Sequence, residues 1–233
     1  MEQIHILPAG DRAMVADFGN VISEEEVNQK VNLLQQKLAE KELPGVLELV
    51  PAFRSLLIEY DPAMLPMQKL RDILQHIPLE EQLQNSVAKH IWKIPCCYGG
   101  KYGEDLQNMA ELTGLSPQEI INIHSSTDYR VYMLGFLPGF VYLGGLDPRI
   151  AVPRLSVPRV EIPAGSVAIG GSQTGVYPIA SPGGWRLIGS TPLAFYDPER
   201  DKPILCEAGD FIRFVPITPE EYEQYDAEAE VRQ

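Results

Sequence analysis

The chain has 233 residues, 45% of them hydrophobic, with 19 basic against 32 acidic residues and a formal net charge of −13. That apolar share supports a sizeable core and excludes disordered and fibrous classes, while the length suits one large domain or two small ones. An acid surplus on this scale argues against a nucleic-acid partner or an anionic membrane, both of which call for a basic surface.

Residues 3–7 and 12–17 read as short strands. Val21-Ile22-Ser23 then opens a helix, with Ser23 as its cap, Glu26 as the capping-box partner, and Val27, Val31, Leu34 and Leu38 as an apolar stripe. Pro44-Gly45 stops it. Residues 46–51 and 54–60 alternate as a strand pair, and 66–77 fit a second helix with Met67, Leu70, Ile73 and Leu74 inward. The order β-β-α-β-β-α predicts a small α+β sandwich over residues 1–86, with helices on one face of a sheet. Residues 79–87 are polar and without a period, which places a linker there. A strand over 88–95 and helices near 103–113 and 117–124 follow, the second helix opened by Ser116-Pro117.

From residue 128 the pattern changes. Between Gly135 and Pro192 lie 11 of the 19 glycines and 8 of the 20 prolines. They separate short β-prone runs at 131–134, 166–169, 176–179, 185–188 and 193–196, with 211–215 after them. Many short strands with dense turns predict a mainly β barrel or sandwich over 87–217. The segment 218–233, with six acids, reads as a frayed or short helical acidic tail.

No apolar run approaches the roughly 18 residues of a membrane span, and Met1–His5 lack the regions of a signal peptide. Cys96, Cys97 and Cys206 have no disulfide or metal spacing and read as small hydrophobes of a cytoplasmic protein. Charge, however, inverts locally. Arg130, Arg149, Arg154, Arg159 and Arg186 stand against Asp147 and Glu161 alone, so that segment is +3 and the remainder −16. No lysine falls between 102 and 201. Arginine without lysine suits bidentate recognition of carboxylate or phosphate; pairing with scattered surface acids is the plainer alternative. Gly170–Gly175 is either a backbone approach to a ligand or a tight hairpin turn, and Trp185 either a groove platform or a core residue. Gly184–Thr191 has the glycine spacing of a P-loop, but the lysine is missing and Pro192 forbids the helix that would follow. No metal-ligand spacing and no nucleophile elbow occur. His124, at a helix end before Arg130, is open to a capping, packing or functional role.

The runs 129–146 (YRVYMLGFLPGFVYLGGL), 163–167 (PAGSV), 173–178 (QTGVYP), 181–185 (SPGGW) and the pairs Ile188-Gly189 and Thr191-Pro192 resemble the KipI or PxpB family. Its members are also called 5-oxoprolinase B subunits or allophanate hydrolase subunit 1, and the resemblance covers essentially the whole chain. It implies a ferredoxin-like first domain and a cyclophilin-like β-barrel second domain. Also implied are two partner proteins, one KipA/PxpC-like and one LamB/YcsF/PxpA-like. With them the chain would open 5-oxo-L-proline to L-glutamate with ATP hydrolysis, inactive alone and without a metal site of its own. Two other roles are implied by relatives: inhibition of a sporulation sensor histidine kinase, and the carboxyltransferase half of a biotin-dependent urea or allophanate enzyme. The chain departs from the family motif at Ser190, where arginine is usual. A site of this kind must hold a substrate carboxylate and stabilise developing negative charge. The residues expected to contact substrate are Arg130, Arg154, Arg159 and Arg186, with Gln173 as a neutral donor, Tyr142 and Tyr177 beside the ring, and His124; no catalytic residue is assigned.

Overall fold

Apolar residues at every second position build the sheet of the first half, and their spacing at three and four builds its helices. The computed structural model describes residues 4–19, 24–79 and 90–225, and the chain divides into two units, Met1–Ala88 and Lys89–Gln233. The first unit runs β1 (His5–Pro8), β2 (Ala13–Asp17), α1 (Glu24–Glu40), β3 (Val46–Pro51), β4 (Ser55–Tyr60) and α2 (Met67–Gln75). Its sheet is antiparallel in the order β1-β2-β4-β3. Met14, Ala16, Leu56, Ile58 and Tyr60 share one sheet face and pack against Val31, Leu34 and Leu38 of α1 and Leu70 and Leu74 of α2. Both helices therefore cover the same face, the α+β sandwich that the alternation predicts. A ferredoxin-like domain is built as β-α-β-β-α-β, and the described elements follow β-β-α-β-β-α instead. The Ser23 cap and most of the expected linker lie outside the described residues.

The second unit opens with β5 (Ile91–Tyr98), α3 (Leu106–Thr113) and α4 (Pro117–Ser125). Ser116 and Glu119 close a reciprocal capping box with Pro117 in the first turn, and Gly114 ends α3 in the left-handed conformation. Strands β6 (Tyr129–Leu134), β7 (Val141–Gly144), β8 (Arg159–Ile162), β9 (Ser166–Gly170), β10 (Gln173–Val176), β11 (Ser181–Gly183), β12 (Arg186–Ser190) and β13 (Phe211–Ile217) follow, then α5 (Pro219–Glu223). Seven of the unit's strands close a barrel in the order β10-β7-β6-β13-β5-β12-β9, while β8 and β11 pair separately. Closure leaves the barrel no unpaired edge. Only β13 and β5 run parallel among these pairs. Inward side chains such as Ile94, Val131, Val141, Leu143, Val167, Ile169, Val176, Ile188 and Phe214 fill the interior, joined by Met109 and Ala110 of α3 and Ile120 of α4.

Two expected strands are corrected. The run at 176–179 is the end of β10, because Pro178 carries no N–H for a ladder. The run at 193–196 keeps a single bridge, Tyr196 to Ile204, although Phe195 is buried in the barrel core. Strands β7, β8 and β11 were not expected. The free thiols of Cys96, Cys97 and Cys206 are buried, and burial raises all three pKa values. At the start of the expected tail, α5 carries its own capping box, Thr218 with Glu221. Tyr222 of that helix packs against Tyr102 at 4.5 Å and bonds the Ser190 hydroxyl at 3.0 Å. Among the described residues no helix is long and apolar enough to cross a membrane.

Candidate functional site

Alternation along β7, β9, β10 and β12 sends every second residue to the outer face of the barrel. Tyr142, Ala168, Gly170, Gln173, Gly175 and Leu187 occupy that face, opposite Val141, Ile169, Thr174 and Ile188 within. The small residues leave room for the Trp185 indole to lie on the sheet: a methyl group added at Gly170 would sit 2.5 Å from its Nε1, and one at Gly175 3.1 Å from its Cζ3. Around the indole Phe140, Tyr142 and Tyr177 pack as ring edges on ring faces, Phe140 to Trp185 at 5.6 Å and 83°, Tyr142 to Trp185 at 5.8 Å and 76°, Phe140 to Tyr177 at 5.0 Å and 89°. This arrangement suits the opposed charges of ring face and edge. Together with Ile162, Ala168 and Leu187 they form a hydrophobic cluster separate from the barrel core.

Gly170→Ala is therefore expected to displace Trp185 and cost about 1–3 kcal/mol through overpacking. A lowered denaturation midpoint accompanied by a shift in tryptophan emission would show it, and an unchanged pair of values would mean the indole does not rest there.

The arginine-rich segment frames this cluster. Residues 152–155 are stitched across it: Val152 bridges Gly171, the Leu155 N–H donates to the Gly184 carbonyl at 2.7 Å, and Arg186 Nε donates to the Pro153 carbonyl at 3.0 Å. Arg154 is thereby held over the indole, its guanidinium carbon 5.6 Å from the ring centroid. Its charge acts on the hydroxyls of Tyr142 and Tyr177, whose pKa values burial raises. Arg154 is exposed.

The other expected ligands have different occupations. Arg159 Nε lies 2.8 Å from Glu104 Oε1 and its Nη2 2.8 Å from Asp105 Oδ1, and the hydrogen bond it donates to Asp105 leads the causes that raise its pKa. The second Asp105 oxygen accepts the Leu187 N–H at 2.7 Å, so Arg159 braces β8 against the start of α3. Arg186 is used by the Pro153 carbonyl and the Asn108 amide oxygen. Arg149 is paired with Asp147. Arg130 lies apart, 6.0 Å from the Phe211 ring across the β6–β13 pair. Gln173, partly exposed, begins β10 on the face of the cluster. Gly171 and Ser172 form a two-residue hairpin turn, Gly171 taking φ +69°, so the glycine stretch is a turn. Gly184–Thr191 contributes strand β12.

His124 is corrected. It is fully buried, its Nε2 at 2.9 Å from Thr174 Oγ1 and its Nδ1 at 2.8 Å from the Tyr98 hydroxyl. Its ring stacks on Phe214 at 4.7 Å, and burial lowers its pKa to about 3. No face is left for a ligand. The structure thus gathers Tyr142, Arg154 and Gln173 at one outer face, buries Tyr177 in the cluster beneath them, puts Arg159 and Arg186 behind it as braces, and removes His124 and Arg130. Asp105 and Phe140, both essential to the frame, were missed: Asp105 meets Arg159 across 54 positions, which no local signal reveals, whereas Phe140 stands inside the GFLPGF run.

The site offers a cation on an aromatic base and neutral donors, which suits binding of an anionic group. Among the described residues it holds no side chain placed as nucleophile beside a base. The family described as carboxyltransferase domain, subdomain C and D, matches residues 4–206. The chain is 44% identical to the 5-oxoprolinase B subunit of Bacillus subtilis over 94% of this chain and 95% of that one. It is 42% identical to the Escherichia coli O157:H7 protein of the same name, over 82% and 90%. The crystal structure of TTHA0988 superposes with a TM-score of 0.76 at 39% identity, covering 88% of this chain but spanning only 40% of the longer TTHA0988 chain.

Proposed function

Because the chain belongs to the carboxyltransferase subdomain C and D family and, within it, to the 5-oxoprolinase B subunits, we propose that it is the B subunit of an ATP-dependent 5-oxoprolinase. It works with a KipA/PxpC-like partner and a LamB/YcsF/PxpA-like partner to open 5-oxo-L-proline to L-glutamate. The observation that carries this reading is the likeness to the Bacillus subtilis protein along nearly the whole of both chains. A five-membered lactam is a stable amide. Transfer of a phosphoryl group from ATP to the amide oxygen activates the carbonyl carbon. Water adds there, the C–N bond breaks with the nitrogen leaving as the amine of glutamate, and a second water hydrolyses the resulting acyl phosphate to the carboxylate and phosphate. The part of this chain is to hold and orient: Arg154, Tyr142 and Gln173 face the bound molecule or a neighbouring protein of the complex, Tyr177 supports them from within the cluster, and Arg159 and Arg186 keep that face in shape. A face built from one cation, aromatic rings and neutral donors suits a protein that binds and positions while its partners supply the chemistry.

Glutamate release from 5-oxo-L-proline and ATP is expected to require this chain together with both partners. Full activity of the two partners without it would overturn the reading. The description of the matched family favours one alternative, a carboxyltransferase half in urea or allophanate metabolism. In that case carboxyl transfer would depend on a biotin-bearing partner and 5-oxo-L-proline would not be consumed.

A further inference from the structure

We infer that Arg154, seated on the Trp185 indole at the outer face of the barrel, is the carboxylate anchor of this chain and selects small molecules carrying a carboxylate beside a compact ring. The assignment of ring and carboxylate to one substrate rests on the 5-oxoprolinase reading; the anion site itself rests on geometry.

Four observations converge. First, the neighbouring arginines are already engaged. Arg149 and Arg159 are bound by acids, and Arg186 by a carbonyl and an amide oxygen. Among the described residues Arg154 has no carboxylate within ion-pair distance, and its ring contact is Trp185. Second, the Arg154 guanidinium carbon lies over the indole, 5.6 Å from the ring centroid, so the cation is held in place without using its N–H donors on an acid. Those donors are the fork a carboxylate accepts in bidentate fashion. Third, the bonds at Pro153 and Leu155 on either side of Arg154 fix the backbone that carries it, so little ordering remains to be done on binding. Fourth, partly exposed Tyr142 stands 5.8 Å from the same indole and offers apolar contact beside the cation, with buried Phe140 packed behind it. Phe136 extends this apolar border at the surface, 63% exposed and 5.6 Å from Phe140. The remainder of the chain is strongly acidic, which makes a cation at a hydrophobic rim a selective place for an anion.

The test uses the full chain in calorimetric titrations with three probes: 5-oxo-L-proline, 2-pyrrolidinone (the same ring without the carboxylate) and inorganic phosphate. 5-Oxo-L-proline is expected to bind, and Arg154→Gln to weaken it about tenfold or more, as loss of a charge-assisted pair of hydrogen bonds implies. 2-Pyrrolidinone should bind the unaltered protein more weakly by a similar factor, and Arg154→Lys should fall between, since lysine supplies the charge without the fork. The melting curve of Arg154→Gln should match the parent, because the side chain is exposed. No binding of 5-oxo-L-proline up to about 10 mM, equal binding of the neutral ring, or an unchanged Arg154→Gln would overturn the inference. Tighter binding of phosphate than of the carboxylate would overturn it too, assigning the site to phosphoryl groups. The two readings fail separately. A chain that binds the carboxylate yet is dispensable for glutamate release keeps the anchor and removes the oxoprolinase role. A chain required for release that binds no carboxylate does the reverse.

Discussion

Replacing Asp105 by alanine is expected to destabilise the second unit by about 3 kcal/mol, more than any change among the exposed groups of the site. Asp105 is 8% exposed, and both of its oxygens are in use, one by the Leu187 N–H at 2.7 Å and one by Arg159 at 2.8 Å. Alanine leaves a buried backbone donor of β12 without an acceptor. It also strips the guanidinium of the better buried of its two acids, while Nη1 of Arg159 already lacks a hydrogen-bond partner. The two losses fall on neighbouring structures and reinforce one another. Asp105→Asn keeps an oxygen for the Leu187 N–H and should cost about half as much. Glu104→Ala removes the exposed acid of the trio and should cost under about 1 kcal/mol, as surface ion pairs do. Urea unfolding of the three variants checks the order. An Asp105→Ala protein within about 0.5 kcal/mol of the parent would mean that the brace contributes nothing.

The brace also marks the boundary of what a linear sequence reveals. The stripe Val27, Val31, Leu34 and Leu38 and the capping box of Ser116 with Glu119 are set by neighbours three and four residues away. Their helices were legible for that reason. The barrel was legible as a class, from the density of glycine and proline, but not as a pairing. That β13 runs parallel to β5 depends on residues more than a hundred positions apart, such as Phe214 and Ile94. The positive segment was visible as charge, and its meaning divided once partners were known. Arg159 found acids at 104 and 105, Arg186 found a carbonyl at 153, and Arg154 alone of the three kept its charge for something else. Ser190, where the resemblance leads one to expect arginine, is buried and bonds Tyr222 of α5. Gly170 signals nothing in isolation; it matters because the indole of a residue fifteen positions on needs the space.

His124 gives the second large effect, and it appears as acid sensitivity. The Thr174 hydroxyl donates to the Ala168 carbonyl at 3.0 Å, so its oxygen accepts from Nε2–H of His124, and Nδ1 is left to accept from the Tyr98 hydroxyl. The ring is thus held neutral among Tyr98, Tyr129, Thr174 and Phe214, none of them charged. Its folded pKa of about 3 lies below the value of about 6.5 expected for an unfolded histidine. Below pH 6.5 the unfolded chain therefore takes up a proton that the folded chain refuses, and stability falls as pH falls. The slope is about 1.4 kcal/mol per pH unit and the loss on the order of 4 kcal/mol by pH 3. Carboxylates held low by their partners, Glu119 and Asp147 among them, add their own losses only nearer the ordinary carboxylate range, so the interval from pH 6.5 to about 5 isolates the histidine. His124→Phe preserves the stack on Phe214 and gives up two hydrogen bonds, lowering stability at neutral pH by about 1–2 kcal/mol. Across that interval its stability should fall less steeply than the parent's, by about 1 kcal/mol per pH unit. Chemical unfolding at a series of pH values reads this difference directly. Parallel curves for parent and variant would show that the buried ring does not set the acid limit of the barrel.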